Sequence, residues 1–248
     1  MEVCNEALFE RCCREISSEY KKLGYHEGYR FLLCPKKLFN EKTKILFLEY
    51  RPGTDKKAVN KRCSQESCEH GCAFFSEQWH GKPRGQEKLQ KQIAIMMEYL
   101  KDSFGVRKDP ERFANENVLS AYFMPFRISD FLKMTKHEQK EAVQASCRLW
   151  SHILDEICPE VIMTSGRVVE DNIKNIMEMK KFNIHFERHM PSGWKRQDLN
   201  MYLYEKENRK ITLGAMPNLS RFGIFGRDGA GDFMEAFMRT LIEFHAGR

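Results

Sequence analysis

The stretch that most constrains the fold is residues 44–53, which read KILFLEYRPG. A short apolar run that ends in Pro-Gly is typical of a buried β-strand that stops in a tight turn. In open α/β sheets, ligands bind at the carboxyl ends of such strands. The pattern therefore predicts that Glu49 and Arg51 lie at the mouth of a sheet, where they either serve a site or pair with each other in a salt bridge.

Apolar runs and helical periodicities alternate along the rest of the chain. Further β segments are predicted at 118–123, 161–165, 182–187, 200–205 and 210–215, the last two as a hairpin. Helices with one apolar face are predicted at 5–23, 88–104, 135–157 with a capping box at its start, 167–176, and from about residue 232. Strands that alternate with helices indicate a three-layer α/β/α fold around a central, mainly parallel sheet.

Composition favours a single cytoplasmic domain. The 248 residues contain no linker and no repeat, so we expect one domain with an N-terminal helical extension at 1–40 and a long loop insertion at 54–86. No apolar run approaches the ~18 residues of a membrane helix, and the N-terminus lacks a signal pattern, so no membrane partner is expected. We expect reduced thiols, because nine cysteines are an odd number and the chain lacks a signal pattern. We also expect a monomer. The net charge of +6 is compatible with a polyanionic partner such as DNA.

The inserted loop carries Cys63, Cys68, His70 and Cys72 in the pattern C-x4-C-x-H-x-C. Thiolates and an imidazole at this density can bind structural zinc or an iron–sulfur cluster. The spacing matches none of the common C-x2-C pairs, so free thiols in a loop are the other interpretation. If a metal binds, a metal-dependent hydrolase or nuclease is an alternative function for the chain.

A loop is also predicted at 190–196, where Trp194 stands beside Lys195 and Arg196. An aromatic ring next to two cations can stack on a base and neutralise a phosphate. The alternative is that the tryptophan only covers the edge of the core. This segment is therefore a candidate nucleic-acid contact.

The polar strand ends, taken in their order along the chain, resemble the motifs of the uracil-DNA glycosylase superfamily. The first family motif, G-[QIE]-[DNA]-P-[YG], has its equivalent in EYRPG at 49–53. The stretch GCAFFS at 71–76 is similar to the family segment whose phenylalanine stacks on the extruded base. The resemblance thereby nominates Phe74, or its neighbour Phe75, as the stacking residue.

The same resemblance continues through the second half of the chain. VLSAYFMPFR at 118–127 takes the place of the family strand that ends in a base-reading group, with Ser120 and Tyr122 in this role. The segment 158–167 looks like the family's proline-strand-glycine-helix unit. NLSR at 218–221 resembles the second signature, His-Pro-Ser or Asn-Pro-Ser, with leucine in place of proline.

Departures from the family pattern change the expected chemistry. Arg51 occupies the position where the family often has the Asp or Asn that positions or activates water, and an arginine cannot act as a base. If hydrolysis occurs, Glu49 or Asp55 is the nearest carboxylate in sequence. Asn218 can hydrogen-bond a base or an anionic leaving group. Ser120 stands where many members have asparagine, which suggests a larger or modified base rather than uracil.

The resemblance implies a monofunctional DNA glycosylase that hydrolyses the N-glycosidic bond of an extruded, modified base and leaves an abasic site, without a required cofactor. A role in repair, or in defence against phage or other foreign DNA, follows as an expectation. The implied catalytic residues are Glu49, Arg51, Asp55 and Asn218, and the implied base-binding residues are Tyr50, Phe74, Phe75, Ser120 and Tyr122. The implied DNA contacts are Arg127, Gly166, Arg167, Lys195, Arg196, Ser220, Arg221 and Phe222. The alternative is a nucleic-acid-binding or base-sensing module on the same fold that has lost catalysis.

Overall fold

The computed structural model describes residues 5–40, 42–53, 64–128, 131–194, 196–226 and 229–246. Its strands are β1 (Ile45–Glu49), β2 (Val118–Tyr122), β3 (Val161–Ser165), β4 (Asn183–Trp194), β5 (Gln197–Lys206) and β6 (Arg209–Met216). Its helices are α1 (Glu6–Lys22), α2 (Ala73–Ser76), α3 (Lys88–Ser103), α4 (Pro110–Asn117), α5 (Lys136–Ile157), α6 (Arg167–Met179) and α7 (Ala230–Ala246).

The strands form one sheet in the order β2-β1-β3-β6-β5-β4. The pairs β1–β2, β1–β3 and β3–β6 are parallel, while β5 is antiparallel to both β6 and β4. The prediction of an α/β fold with a mainly parallel central sheet is confirmed. In the part of the chain that the structure describes, no helix combines the length and apolar character needed to cross a bilayer.

Helices cover both faces of the parallel part of the sheet. Leu46 and Leu48 of β1 point into a buried cluster with residues of α1, α5 and α6. Ile45 and Phe47 of the same strand point the other way, into a cluster with residues of α2, α3, α4 and α7. A strand buried on both faces reads as a continuous apolar run, which explains the sequence ILFL in β1.

The predicted helix boundaries agree with local capping. The Thr135 hydroxyl caps α5 by accepting from the Glu138 N–H at 3.2 Å, and the Glu138 carboxylate accepts from the Thr135 N–H at 2.7 Å. The short helix α4 was not predicted. It begins at Pro110 after the cap of Asp109, but eight residues give too few turns for a clear apolar periodicity.

The prediction of a loop at 190–196 is wrong for its first five residues. Residues 190–194 belong to β4, which pairs with β5 as far as Trp194 opposite Gln197. Pro191 and Gly193 suggested a loop, but β4 is an edge strand of the sheet. A proline is tolerated there because the missing N–H removes no ladder bond from a central strand.

The N-terminal 40 residues contain more than a helical extension. Residues 28–34 form an extended segment beside β2, in which Tyr29 bridges Phe126 and Leu32 bridges Ala121 in antiparallel fashion. The segment 65–68 lies on its other side, with the Phe31 N–H donating to the Gln65 carbonyl at 3.0 Å. Part of the predicted loop insertion therefore packs against the N-terminal region.

Candidate functional site at the carboxyl edge of the sheet

The order of the strands marks one position at the edge of the sheet. The chain leaves β1 for β2 on one side and later returns to β3 on the other side, so the strand order reverses between β1 and β3. Ligands of open α/β sheets bind outside the carboxyl ends of the strands at such a reversal. The residue of β1 at this edge is Glu49, which lies in register with Tyr122 of β2 and Ser165 of β3.

Glu49 is a buried carboxyl group with an incomplete set of hydrogen bonds. Its residue surface is only 4% exposed. Burial raises the pKa of Glu49 to about 7, while hydrogen bonds from the Ser165 side chain and the Tyr50 backbone act in the opposite direction. The Oε2 atom is buried and has no hydrogen-bond partner among the described residues. The carboxyl group therefore changes its charge near neutral pH and keeps one oxygen available.

The loop that follows β6 is fastened to the same edge. The Leu219 N–H donates to the Ser165 hydroxyl at 3.1 Å. Asn218 Oδ1 accepts from the Ser220 hydroxyl at 2.5 Å and from the Arg221 N–H at 3.0 Å, so this oxygen is used inside the loop. The amide nitrogen of Asn218 lies on the other side, toward Gly166. It is the part of this side chain that can donate to a ligand.

Gly166 has a structural reason to be glycine. It precedes α6 with φ of +99°, a conformation that other residues rarely adopt. A Cβ atom at this position would lie 3.8 Å from the Asn218 Cβ. The approach of the β3–α6 turn to Asn218 thus brings a third strand end to the edge that carries Glu49.

Tyr122 lies on the β2 side of Glu49 and is surrounded by charges. It is 5% exposed, and burial raises its pKa to about 12, so its phenol is a hydrogen-bond donor at neutral pH. The side chains whose charges act on this phenol are Arg30, Glu49, Arg127 and Glu77. Two arginines and two carboxyl groups therefore act on a buried phenol beside the reversal point of the sheet.

Arg30 and Glu77 were missed by the sequence reasoning. Arg30 Nη2 donates to Glu77 Oε1 at 2.5 Å, and Glu77 Oε2 accepts from the Trp79 indole at 2.8 Å. Arg30 is 7% exposed. The available signal was a single arginine inside the apolar stretch YRFLLC, because a cation is rarely buried unless it has a partner.

Arg51 is half-buried, whereas Phe74, which was nominated to stack on the base, is fully buried. Arg51 Nη1 donates to the Ile128 carbonyl at 3.2 Å, and its guanidinium lies 5.1 Å from the Phe131 ring centre. Phe74 is fully buried and packs edge-on against Phe47 and Trp79. In this conformation Phe74 offers no surface to a base.

The other predicted base-binding residues also differ in how much of their surface is exposed. Phe75 is partly exposed, and Tyr50 is half-buried with its ring packed edge-on against Phe131. Ser120 is fully buried, with its N–H donating to Cys34 Sγ at 3.3 Å. Phe75 and Tyr50 are thus the predicted base contacts that keep accessible surface.

The cysteine-rich segment does not assemble a metal site among its described residues. Cys68 Sγ donates to Glu77 Oε1 at 3.1 Å, Cys72 is fully buried beside β2, and His70 is exposed. Burial raises the pKa of Cys68 to about 11 and that of Cys72 to about 12. In the part of the chain that the structure describes, no three His, Cys, Asp or Glu side chains are placed so that they could hold a metal ion together. Cys63 lies outside the described residues.

Several predicted DNA contacts surround this edge. Arg167 at the start of α6 is exposed, as are Arg196, Ser220 and Arg221. Phe222 packs edge-on against Trp194, with ring centres 5.4 Å apart, and the Trp194 indole donates to the Gly223 carbonyl at 3.2 Å. Trp194 is thus held against the loop after β6. Two predicted site residues, Asp55 and Lys195, lie outside the described residues.

Comparison with known proteins does not assign this chain to a family. No protein-family model matches this sequence, and no curated protein is significantly similar to it.

Proposed function

We propose that the protein is a monofunctional DNA glycosylase that removes a modified base. The observation that carries the proposal is the Glu49 carboxyl group, buried at the reversal point of the sheet with Oε2 unpartnered among the described residues. The resemblance of the strand-end motifs to the uracil-DNA glycosylase superfamily supports the same assignment. A ligand at the reversal point would lie within reach of Asn218 and Tyr122 as well.

The proposed chemistry needs a carboxylate next to the sugar. Cleavage of an N-glycosidic bond passes through an oxocarbenium-like state, which a neighbouring anion stabilises. Glu49 provides this charge when it is ionised, and the same carboxylate can accept a proton from the attacking water. Its pKa of about 7 places the ionised form within the physiological range.

The departing base carries negative charge and needs hydrogen-bond donors. Asn218 provides an amide nitrogen, because its oxygen is already used by Ser220 and Arg221. Tyr122 provides a phenol on the opposite side of Glu49. Arg51 is assigned to positioning, since its contacts with Ile128 and Phe131 hold the turn after β1.

DNA would approach from the exposed side of the same edge. Arg167, Arg196 and Arg221 add positive charge there, which attracts phosphates regardless of sequence. Extrusion of a nucleotide costs a few kcal/mol of stacking, and a modified or mispaired base lowers that cost. Phe222, packed on Trp194, is the aromatic residue of this edge that would enter or line the duplex.

The test is a screen for abasic sites. Purified protein is incubated with hypermodified phage DNA and with unmodified genomic DNA, and strand breaks after alkali are counted. Release from at least one modified DNA supports the proposal. DNA binding without release from any substrate would favour the binding module that has lost catalysis. Release that a chelator abolishes would favour the metal-dependent alternative.

A further inference from the structure

Three buried polar atoms near Tyr122 have no hydrogen-bond partner among the described residues. They are Glu49 Oε2, Arg30 Nε and Arg127 Nε. Unsatisfied buried groups are rare because each costs about 1–3 kcal/mol, more when the group is charged. Three of them around one phenol therefore indicate a place where something else binds.

The backbone brings the two arginines together. The Arg30 N–H donates to the Pro125 carbonyl at 2.7 Å, and the Arg127 N–H donates to the Gly28 carbonyl at 3.0 Å. These bonds place both residues on neighbouring extended segments beside the end of β2. The Tyr122 N–H joins the same pairing through the Phe31 carbonyl at 3.0 Å. The two guanidinium groups consequently act on one phenol.

Two arginines and two carboxyl groups act on this phenol, and the only ion pair among the four in the described residues is Arg30 with Glu77. Arg30 is paired with Glu77 at 2.5 Å. Arg127 is half-buried, and its Nε is buried without a hydrogen-bond partner among the described residues. A partly desolvated guanidinium whose buried Nε makes no hydrogen bond is unfavourable. A bound anion removes this cost.

We propose that Arg127, Arg30 and Tyr122 form a subsite for an oxyanion carried by the ligand of Glu49. The Nε and one Nη of an arginine form a planar fork that matches two oxygens of a carboxylate or a phosphate. Arg127 presents such a fork, while Arg30 adds its unpartnered Nε because its Nη2 is bonded to Glu77 and Cys68. Tyr122, on which both arginines act, adds a hydroxyl donor. The inference rests on the proposed function in that the ligand is a nucleotide. The oxyanion is then either a carboxylate on the modified base or a phosphate of the nucleotide.

The experiment measures binding of small probes to the full chain by calorimetry, without any need for catalysis. One pair of probes is 5-carboxyuracil and thymine, and the other is thymidine 5′-monophosphate and thymidine. Within at least one pair we expect the anionic member to bind about tenfold tighter or more, as charge-assisted hydrogen bonds do. The pair that shows the preference identifies the source of the oxyanion.

Two variants assign the preference to the subsite. Arg127→Gln should reduce it to less than about twofold, whereas Arg239→Gln, an exposed arginine of α7, should leave it unchanged. Without ligand, Arg127→Gln should unfold at the same temperature or higher, because it removes a buried Nε–H that has no partner among the described residues. A melting temperature several degrees lower would show that Arg127 has its partner inside the chain and would overturn the proposal.

Equal affinity for the neutral and anionic probes in both pairs would also overturn the proposed oxyanion subsite. A preference for the anionic probe that survives in Arg127→Gln would do the same. These outcomes are separable from those of the abasic-site screen. Base release without an oxyanion preference contradicts the subsite alone. An oxyanion preference without base release from any DNA contradicts the glycosylase assignment alone.

Discussion

Replacing Glu49 by glutamine should stabilise the protein at neutral and alkaline pH. The pKa of Glu49 is raised from 4.5 to about 7 by burial, so the folded state holds this proton more tightly than the unfolded state. Between pH 4.5 and 7 the wild type therefore loses stability as the pH rises. One pKa unit corresponds to about 1.4 kcal/mol, so the loss amounts to about 3 kcal/mol. Glutamine keeps the hydrogen bonds from Ser165 and Tyr50 but does not ionise.

The assay is urea unfolding at several pH values between 4.5 and 8, followed through tryptophan fluorescence, to which the buried Trp150 contributes. The free energy of unfolding of Glu49→Gln minus that of the wild type should be near zero at pH 4.5 and approach about 3 kcal/mol at pH 8. Glu235→Gln, at an exposed position of α7, is the matched control and should show no such trend. A difference between Glu49→Gln and wild type that stays constant with pH would refute a desolvated carboxyl group at the sheet edge.

Two further substitutions test the packing that holds this edge. Gly214→Ala should lower the free energy of unfolding by about 1–3 kcal/mol, because a Cβ there would lie 2.7 Å from Met163 Sδ and 2.8 Å from Phe237 Cε2. Urea unfolding measures this, and an unchanged midpoint would contradict the close packing. Glu77→Gln should cost about 2–3 kcal/mol, less than for a fully buried pair, because the Glu77 side chain is 28% exposed while that of Arg30 is 8% exposed. A loss below about 0.5 kcal/mol would show that the pair contributes no more than a surface salt bridge.

The parallel core of the fold could be predicted from sequence because its signals are local. The apolar run of β1 ends at a Pro-Gly turn, and the start of α5 has a complete capping box from Thr135 to Glu138. The β5–β6 hairpin also formed as expected, with Glu207 in a left-handed conformation at its turn. In each case a few adjacent residues determine the geometry.

Elements that depend on distant partners could not be predicted in this way. The first half of β4 was predicted at 182–187, but its second half contains Pro191 and Gly193, and only the position of β4 at the edge of the sheet makes a strand compatible with them. The extended segment at 28–34 forms because β2 and residues 65–68 offer hydrogen bonds on its two sides. The sequence of residues 28–34 alone contains no signal for that pairing.

The same distinction applies to the candidate site. Glu49, Tyr122 and Asn218 were predicted because each follows or ends a recognisable strand. Arg30 and Glu77 were not, since they are separated from β1 in sequence and meet only after the N-terminal segment pairs with β2. Their contribution to the site is a product of tertiary structure.

The most direct test of the account is the rate of abasic-site formation as a function of pH. With a DNA from which the protein releases a base in the screen, single-turnover rates are compared for wild type, Glu49→Gln and the control Glu235→Gln. We predict that the wild-type rate rises with pH through an apparent pKa near 7, as Glu49 ionises. Glu49→Gln should be slower by about 10²–10⁴-fold on the plateau above pH 7, with a smaller difference at lower pH where the wild-type carboxyl group is protonated, and Glu235→Gln should match the wild type. A Glu49→Gln protein that forms abasic sites as fast as the wild type would contradict the assignment of Glu49 as the catalytic carboxylate.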